Sequence, residues 1–213
     1  LNWSSRRISA PVKLAGARVA VQGFGAVGKH AARFLEARGA VLVAAADSVG
    51  AIVNPRGLEV ESLIAFTKRG GKVGDFTGGQ RMQRDAIVGV DCDIWIPAAR
   101  PDVITMANVD SIRAKLILQG ANIPASHQAE QRLHQRGVLS LPDFIVNAGG
   151  VICASVEYHG GSQSQAFQNI ENKIRANTRA VLEAMRQRKV TLRQAALDLA
   201  GERVARAMSC RRF

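Results

Sequence analysis

A glycine cluster set between two hydrophobic patterns constrains this chain more than any other feature. Arg18 to Gln22 is a short apolar run of the kind a buried strand shows. Gly23-Phe24-Gly25-Ala26-Val27-Gly28 follows at once. Val27 to Arg38 then carries Val27, Ala31, Phe34 and Leu35 at helical spacing, and Gly39 closes that helix. Gly23 permits a tight turn, Gly25 lets the backbone approach a diphosphate, and Gly28 lets the helix pack closely on the strand. An anion seated there meets free N–H groups and the positive end of the helix dipole. Asp47 stands nineteen residues past Gly28, at the end of the next apolar run, Val41 to Ala46. A carboxylate so placed can accept hydrogen bonds from both hydroxyls of an adenosine ribose, which favours NAD. Arg56 is near enough in sequence to partner a 2′-phosphate, so NADP stays open.

The same alternation continues along the chain. Gly57 to Arg69 reads as an amphipathic helix through Leu58, Leu63, Ile64 and Phe66. Asp93 to Ile96, Lys115 to Leu118 and Val138 to Leu141 read as short strands, and Ser126 to Gln135 as a helix. The pattern predicts an α/β fold with a doubly wound, mainly parallel sheet of the Rossmann kind. Right-handed crossovers would put the loops after the strands along one edge. Three such loops are Pro97-Ala98-Ala99, Gly120-Ala121-Asn122 and Asn147-Ala148-Gly149-Gly150-Val151. Two of them carry an Asn, whose amide donates and accepts at once, as a nicotinamide carboxamide requires. After Asn147 the pattern is helical, with one long helix over Asn169 to Arg188 and a capping box at Thr191-Leu192-Arg193-Gln194. The expected organisation is a lead-in over 1–16, a dinucleotide-binding domain over 17–160 and C-terminal helices over 161–213 packing on that domain.

Composition narrows the partners. With 47% hydrophobic and 22% charged residues the chain is an ordinary globular one, neither disordered nor collagen-like. Its most apolar uncharged stretch, Phe144 to Val156, is too short for a membrane span. A charge of +12, from 29 Lys and Arg against 17 Asp and Glu, raises nucleic acid, a membrane surface or an acidic small molecule as partners. The basic residues are scattered, the densest groups being Arg6-Arg7, Arg186 to Lys189 and Arg211-Arg212, and aromatic residues are few, which argues against nucleic acid. Cys92, Cys153 and Cys210 are odd in number and far apart, as in a reduced, cytoplasmic protein. The four His are scattered too, so no metal site is expected. The chain opens at Leu1 rather than at a methionine, from which we expect it to be a piece of something longer.

The run from Leu14 to about Met208 resembles the C-terminal, nucleotide-binding domain of the glutamate/leucine/phenylalanine/valine dehydrogenase family. The matching stretches are Gly23 to Gly28, Asp47-Ser48 with Asn54-Pro55-Arg56-Gly57, and Cys92-Asp93-Ile94-Trp95-Ile96-Pro97-Ala98-Ala99. Gly120-Ala121-Asn122, Leu141-Pro142-Asp143, and Asn147 to Val151 with Glu157 match as well, and Arg193 to Met208 resembles the family's closing helix. The resemblance implies oxidative deamination of an L-amino acid to a 2-oxo acid and ammonia, with hydride passing to nicotinamide. It assigns the diphosphate to the Gly23 to Gly28 turn, including Phe24, Ala26 and Val27, and the adenosine ribose to Asp47 with Ser48. Ala98 and Asn122, with Ala99 beside them, would meet the nicotinamide-side ribose, and Asn147 the carboxamide. Asn147, Gly150 and Ala154 would lie on the substrate side.

Two departures from the family bear on activity. The family's catalytic Lys and Asp lie in an N-terminal domain that nothing here matches, so this chain is expected to hold no catalytic residue and to be inactive alone. Its partners would be that missing domain and further copies in an oligomer. The second departure is Ala154, where glutamate-specific members place a Ser; Ser155 is one position later. A helix turns about 100° per residue, so Ser155 should face elsewhere. Loss of one charge-assisted hydrogen bond costs about 1.5–3 kcal/mol, which puts an apolar amino acid beside glutamate as substrate. A non-catalytic NAD-binding regulator is the remaining alternative.

Overall fold

The structure, a computed structural model, describes residues 13–210. Arg6-Arg7, Arg211-Arg212 and most of the expected lead-in lie outside the described residues. The elements begin with β1 (Arg18–Gln22), α1 (Ala26–Glu36), β2 (Val41–Ala46), β3 (Ala51–Val53), α2 (Val60–Lys68) and β4 (Gln80–Met82). There follow β5 (Ile94–Pro97), β6 (Leu116–Leu118), α3 (His127–Gln135) and β7 (Leu139–Leu141). The rest is helical: α4 (Asp143–Val146), α5 (Gly149–Tyr158), α6 (Gln163–Arg188) and α7 (Leu192–Ser209). Among the described residues the strands form one seven-stranded sheet, ordered β4-β3-β2-β1-β5-β6-β7. β1 pairs in parallel with β2 and with β5, and β5 with β6, whereas β3 runs antiparallel to β2 and β4. The expected doubly wound, mainly parallel sheet is therefore present. The chain divides into two compact units, Leu1–Ser140 and Leu141–Phe213.

Alternation along the strands explains why both faces of the sheet are covered. Val19 and Val21 of β1, and Ile94 and Ile96 of β5, join one core with Ala32 of α1 and Val60, Leu63 and Ile64 of α2. Ala20 and Trp95 point the other way, into a second core with Ala129 and Leu133 of α3. Burying each of the valine, leucine and isoleucine side chains stabilises by about 1.5–3 kcal/mol, so the two cores hold the strand ends in register. Cys92 sits in the second core, and burial pushes its thiol up to about 12. A thiol so raised is scarcely nucleophilic. Native protein should therefore react with a thiol reagent at exposed Cys210 and part-exposed Cys153, and at Cys92 only after unfolding, as mass spectrometry of the labelled protein would read.

In the second unit, α6 starts earlier than its periodicity suggests. Ser162 and Gln165 form a full capping box there, each side chain taking the other's backbone N–H. The box expected at Thr191 is made by half. Thr191 accepts the Gln194 N–H at 3.2 Å, but the Gln194 amide turns to Asp198 at 2.7 Å. Arg188 ties α6 to α7 through Asp198 and Glu202. No described helix is long and apolar enough to cross a membrane.

Candidate functional site

The ends of β1, β2 and β5 meet at the C-terminal edge of the sheet, and the loops leaving them are tied together by backbone hydrogen bonds. Gly23 and Phe24 both donate to the Ala46 carbonyl, at 2.8 and 2.9 Å, and Ala98 donates to Gln22 at 2.7 Å. Gly23 sits at φ 95°, where a side chain is strained, and a Cβ on it would lie 2.6 Å from the Ala99 nitrogen. A Cβ on Gly28 would overlap the Gly23 carbonyl and come within 2.9 Å of Val21. Phe24, 4% exposed, pins the loop into the core. These residues leave no freedom in the turn.

Gly25 is different. Nothing lies within 4 Å of where its Cβ would be, so its missing side chain leaves open space rather than a packing contact. Gly25 is also the N-cap of α1; no side chain caps that end and no acidic residue stands in its first turn. Its N–H groups and partial positive charge are thus turned outward beside exposed Ala26 and Val27.

A cleft of about 510 Å³ opens over this helix end, lined by Gln22 to Gly25, Asp47, Ser48, Ala98 and Ala99 on the β-strand side. Thr67, Gly70 to Val73, Arg84 and Arg100 complete its wall. Gln22 lies at its floor, 4% exposed, and its Oε1 has no hydrogen-bond partner. Buried polar atoms are nearly always paired, so a ligand with a donor fits this floor, and an anion fits the helix end. The donor set and the vacant space at Gly25 suit the sugar and phosphates of a dinucleotide. A larger hollow, about 590 Å³, lies by Arg113, Lys115 and Arg136, which precede or flank the N-terminal ends of β6 and β7, away from the glycine turn.

Asp47 is tied into the backbone around it. Its Oδ1 accepts the Val49 and Gly50 N–H groups at 2.8 and 3.0 Å, and its Oδ2 the Val73 N–H at 2.8 Å. Burial pushes its pKa up, but the Val73, Val49 and Gly50 donors and the nearby Lys72 charge outweigh that and hold it below the usual carboxylate range. The contribution is present in full above the unfolded-chain pKa, near pH ~4, and is lost as pH falls through the lower folded value. Asp47→Ala should cost on the order of 2 kcal/mol at neutral pH. The gap to the parent protein should close in acid, read by urea unfolding at a series of pH values.

The structure brings Gly23 to Gly28, Asp47, Ser48, Ala98 and Ala99 to one edge. Asn122 is on an adjacent loop, held by the Ala121 N–H to the Pro97 carbonyl at 2.8 Å, and does not line the cleft. Arg56 does not line it either; its N–H closes a turn on Asn54. In the second unit Asn147 ends α4, while Gly150, Ala154 and Ser155 are exposed on α5. Gln22, Lys72, Arg84 and Arg100 were not legible as site residues. Gln22 alone carried a signal, being the polar end of a buried strand.

Comparison with known proteins agrees with this architecture. The family model of glutamate/leucine/phenylalanine/valine dehydrogenases matches residues 5–212. A glutamate dehydrogenase of Aeropyrum pernix is 40% identical over 208 residues, 93% of this chain and 50% of that protein. An NADP-specific glutamate dehydrogenase of Saccharolobus shibatae is 36% identical over 92% of this chain and 48% of its own length. The chain thus spans about half the length of the curated relatives it matches. Among solved structures, the hetero-hexameric glutamate dehydrogenase of Thermus thermophilus, in a Leu-bound form, superposes with a TM-score of 0.84 at 26% identity, covering 95% of this chain and 49% of that one. The L-tryptophan dehydrogenase of Nostoc punctiforme gives 0.72 at 27% identity, over 92% and 54%. The match along nearly the whole chain and the glycine turn at the sheet edge lead to one conclusion: this chain belongs to the glutamate/leucine/phenylalanine/valine dehydrogenase family.

Proposed function

We propose that this chain is the nucleotide-binding part of an NAD(P)-dependent L-amino-acid dehydrogenase of the glutamate type. The observation that carries the reading is the uncapped N-terminus of α1 beside Gly25, where a diphosphate fits and a side chain would intrude. A bound nicotinamide dinucleotide supplies the hydride acceptor for oxidative deamination. The chain's own residues bind and orient it. The N–H groups at the Gly25 turn hold the diphosphate, and the Gln22 Oε1 takes a donor at the cleft floor. Asp47 already accepts three backbone N–H groups. A carboxylate offers about four acceptor positions, which leaves room for one ribose hydroxyl rather than two. That weakens selection for NAD over NADP, and Ser48 and Lys72 line the same end of the cleft.

On the second unit, family membership points to Asn147, Gly150 and Ala154 as substrate-side residues. Ala154 favours a second reading, an apolar amino acid as substrate, because no hydroxyl is offered at that position. By itself the chain should bind cofactor and turn over little, since substrate orientation and proton transfer commonly supply several orders of magnitude each. We propose assembly into an oligomer in the cytoplasm, as suits an amino-acid dehydrogenase.

The test is a fusion of this chain behind the N-terminal half of the Aeropyrum pernix relative. Dinucleotide-dependent oxidation of L-glutamate or of an apolar L-amino acid should appear in the fusion. A folded, cofactor-binding fusion inert toward both classes would contradict the reading. In an active fusion, Ala154→Ser should raise preference for glutamate by roughly 10-fold or more, measured as a ratio of kcat/KM values.

A further inference from the structure

The cleft carries a cation pair that the helix terminus and the ribose carboxylate do not account for. Arg84 grips Asp85 with both arms of its guanidinium, Nε to Oδ1 at 2.9 Å and Nη2 to Oδ2 at 2.8 Å. Arg100 approaches the same carboxylate only through Nη2, 3.9 Å from Oδ1, too long for a hydrogen bond. Among the described residues its guanidinium makes no hydrogen bond. Two guanidinium groups therefore share one carboxylate, leaving one positive charge uncompensated. Arg84 and Arg100 both line the cleft over Gly23 and Gly25. All three side chains are about half exposed, at 42, 54 and 59% for Arg84, Arg100 and Asp85. An ion pair so solvated holds its partners weakly, so a doubly charged oxyanion can replace Asp85 as the arginines' partner.

We propose that Arg100, with Arg84, is a phosphate-binding side-chain clamp on this cleft, separate from the backbone N–H groups of α1. The inference rests on the cleft taking a dinucleotide, as argued above. A guanidinium fork matches two phosphate oxygens at once, a geometry a lysine cannot supply. Asp85 partners Arg84 in the unliganded protein and, being weakly held, gives it up when the phosphate arrives. Arg100 follows directly on Ala98 and Ala99, whose loop is fastened to β1 through the Ala98 N–H, so its backbone is fixed relative to the Gly23 turn. The phosphate is either the dinucleotide's diphosphate or the 2′-phosphate that only NADP carries.

Calorimetry with NAD, NADP, 2′,5′-ADP and adenosine on the parent chain, Arg100→Gln and Arg84→Gln separates these sources. Both positions are exposed, so the variants should melt as the parent does. Arg100→Gln should bind its phosphate ligands about 10- to 100-fold more weakly, with a shallower salt dependence, and Arg84→Gln should follow it. Equal loss for NAD and NADP assigns the clamp to the diphosphate. Loss for NADP and 2′,5′-ADP with NAD unchanged assigns it to the 2′-phosphate. Unchanged affinity for every phosphate ligand, or an equal loss for adenosine, overturns the clamp while leaving the dinucleotide site standing. A parent chain that binds none of the ligands overturns both.

Discussion

Gly25→Val is expected to lower dinucleotide affinity by at least about 100-fold while leaving the thermal unfolding midpoint of the unliganded protein close to that of the parent. The two halves of that result have separate causes. Nothing lies within 4 Å of a Cβ at Gly25, and its φ of −84° is one that valine adopts, so the fold loses only about 1 kcal/mol for the poorer N-cap. The new side chain instead fills the space in front of the α1 N–H groups. Two charge-assisted hydrogen bonds lost there, at about 1.5–3 kcal/mol each, amount to more than two powers of ten in the dissociation constant. Unchanged affinity in a folded variant would show that the diphosphate goes elsewhere. Calorimetry and a melting curve on the same sample read both halves.

Gly23→Ala should do the reverse and act on the fold. A left-handed backbone costs an L residue about 1–2 kcal/mol. A Cβ 2.6 Å from the Ala99 nitrogen and 2.7 Å from the Ala98 carbon meets backbone, which has nowhere to go. Overpacking adds about 1–3 kcal/mol, for a total of about 2–5 kcal/mol, a large part of a domain's stability. Urea unfolding should show the loss with binding weakened as a consequence. A variant as stable as the parent would mean the turn relaxes in a way its two hydrogen bonds to Ala46 do not allow. The contrast between two glycines of one motif is the sharper test, because a motif match alone treats them alike.

How much of this was readable in the sequence depends on how locally each feature is determined. β1, β2 and the glycine turn were legible because each is a continuous run whose hydrophobic pattern and glycine spacing have one local solution. The bounds of β1 and β2, Arg18–Gln22 and Val41–Ala46, are those expected. The antiparallel pair β3 and β4 was not anticipated. Each has three residues, too few for a period to show, and they become strands only by pairing next to β2. The second helix begins at Val60 rather than Gly57, because Gly57 stands at φ 113° and Glu59 is still extended, at φ −70° and ψ 103°, while the Leu58 N–H bonds to the Leu42 carbonyl at 2.7 Å. Those backbone angles leave no mark on the hydrophobic periodicity.

The site divides in the same way. The strand-side wall, from Gly23 to Asp47 and Ala98, follows from where parallel strands end. The rest of the lining includes Lys72, Arg84 and Arg100, which are spread along the chain and share no pattern. Arg56 was favoured by nearness in sequence to Asp47, yet nearness in space belongs to Lys72, carried beside the carboxylate by the Val73 N–H bond to Asp47. The +12 charge is placed in part by the same lining, which adds cations to a cleft already open at a positive helix end.

Direct titration is the simplest test of whether this chain, as we propose, binds a nicotinamide dinucleotide at the Gly23 to Gly28 turn. NAD and NADP should each be titrated into the parent chain by calorimetry, followed by a melting curve with ligand in excess. Binding should saturate at one site and be competed by ADP-ribose, with stabilisation of about 2.7 kcal/mol at a ligand concentration 100-fold above Kd. Folded protein showing neither binding heat nor a stability shift with millimolar NAD and NADP would contradict it.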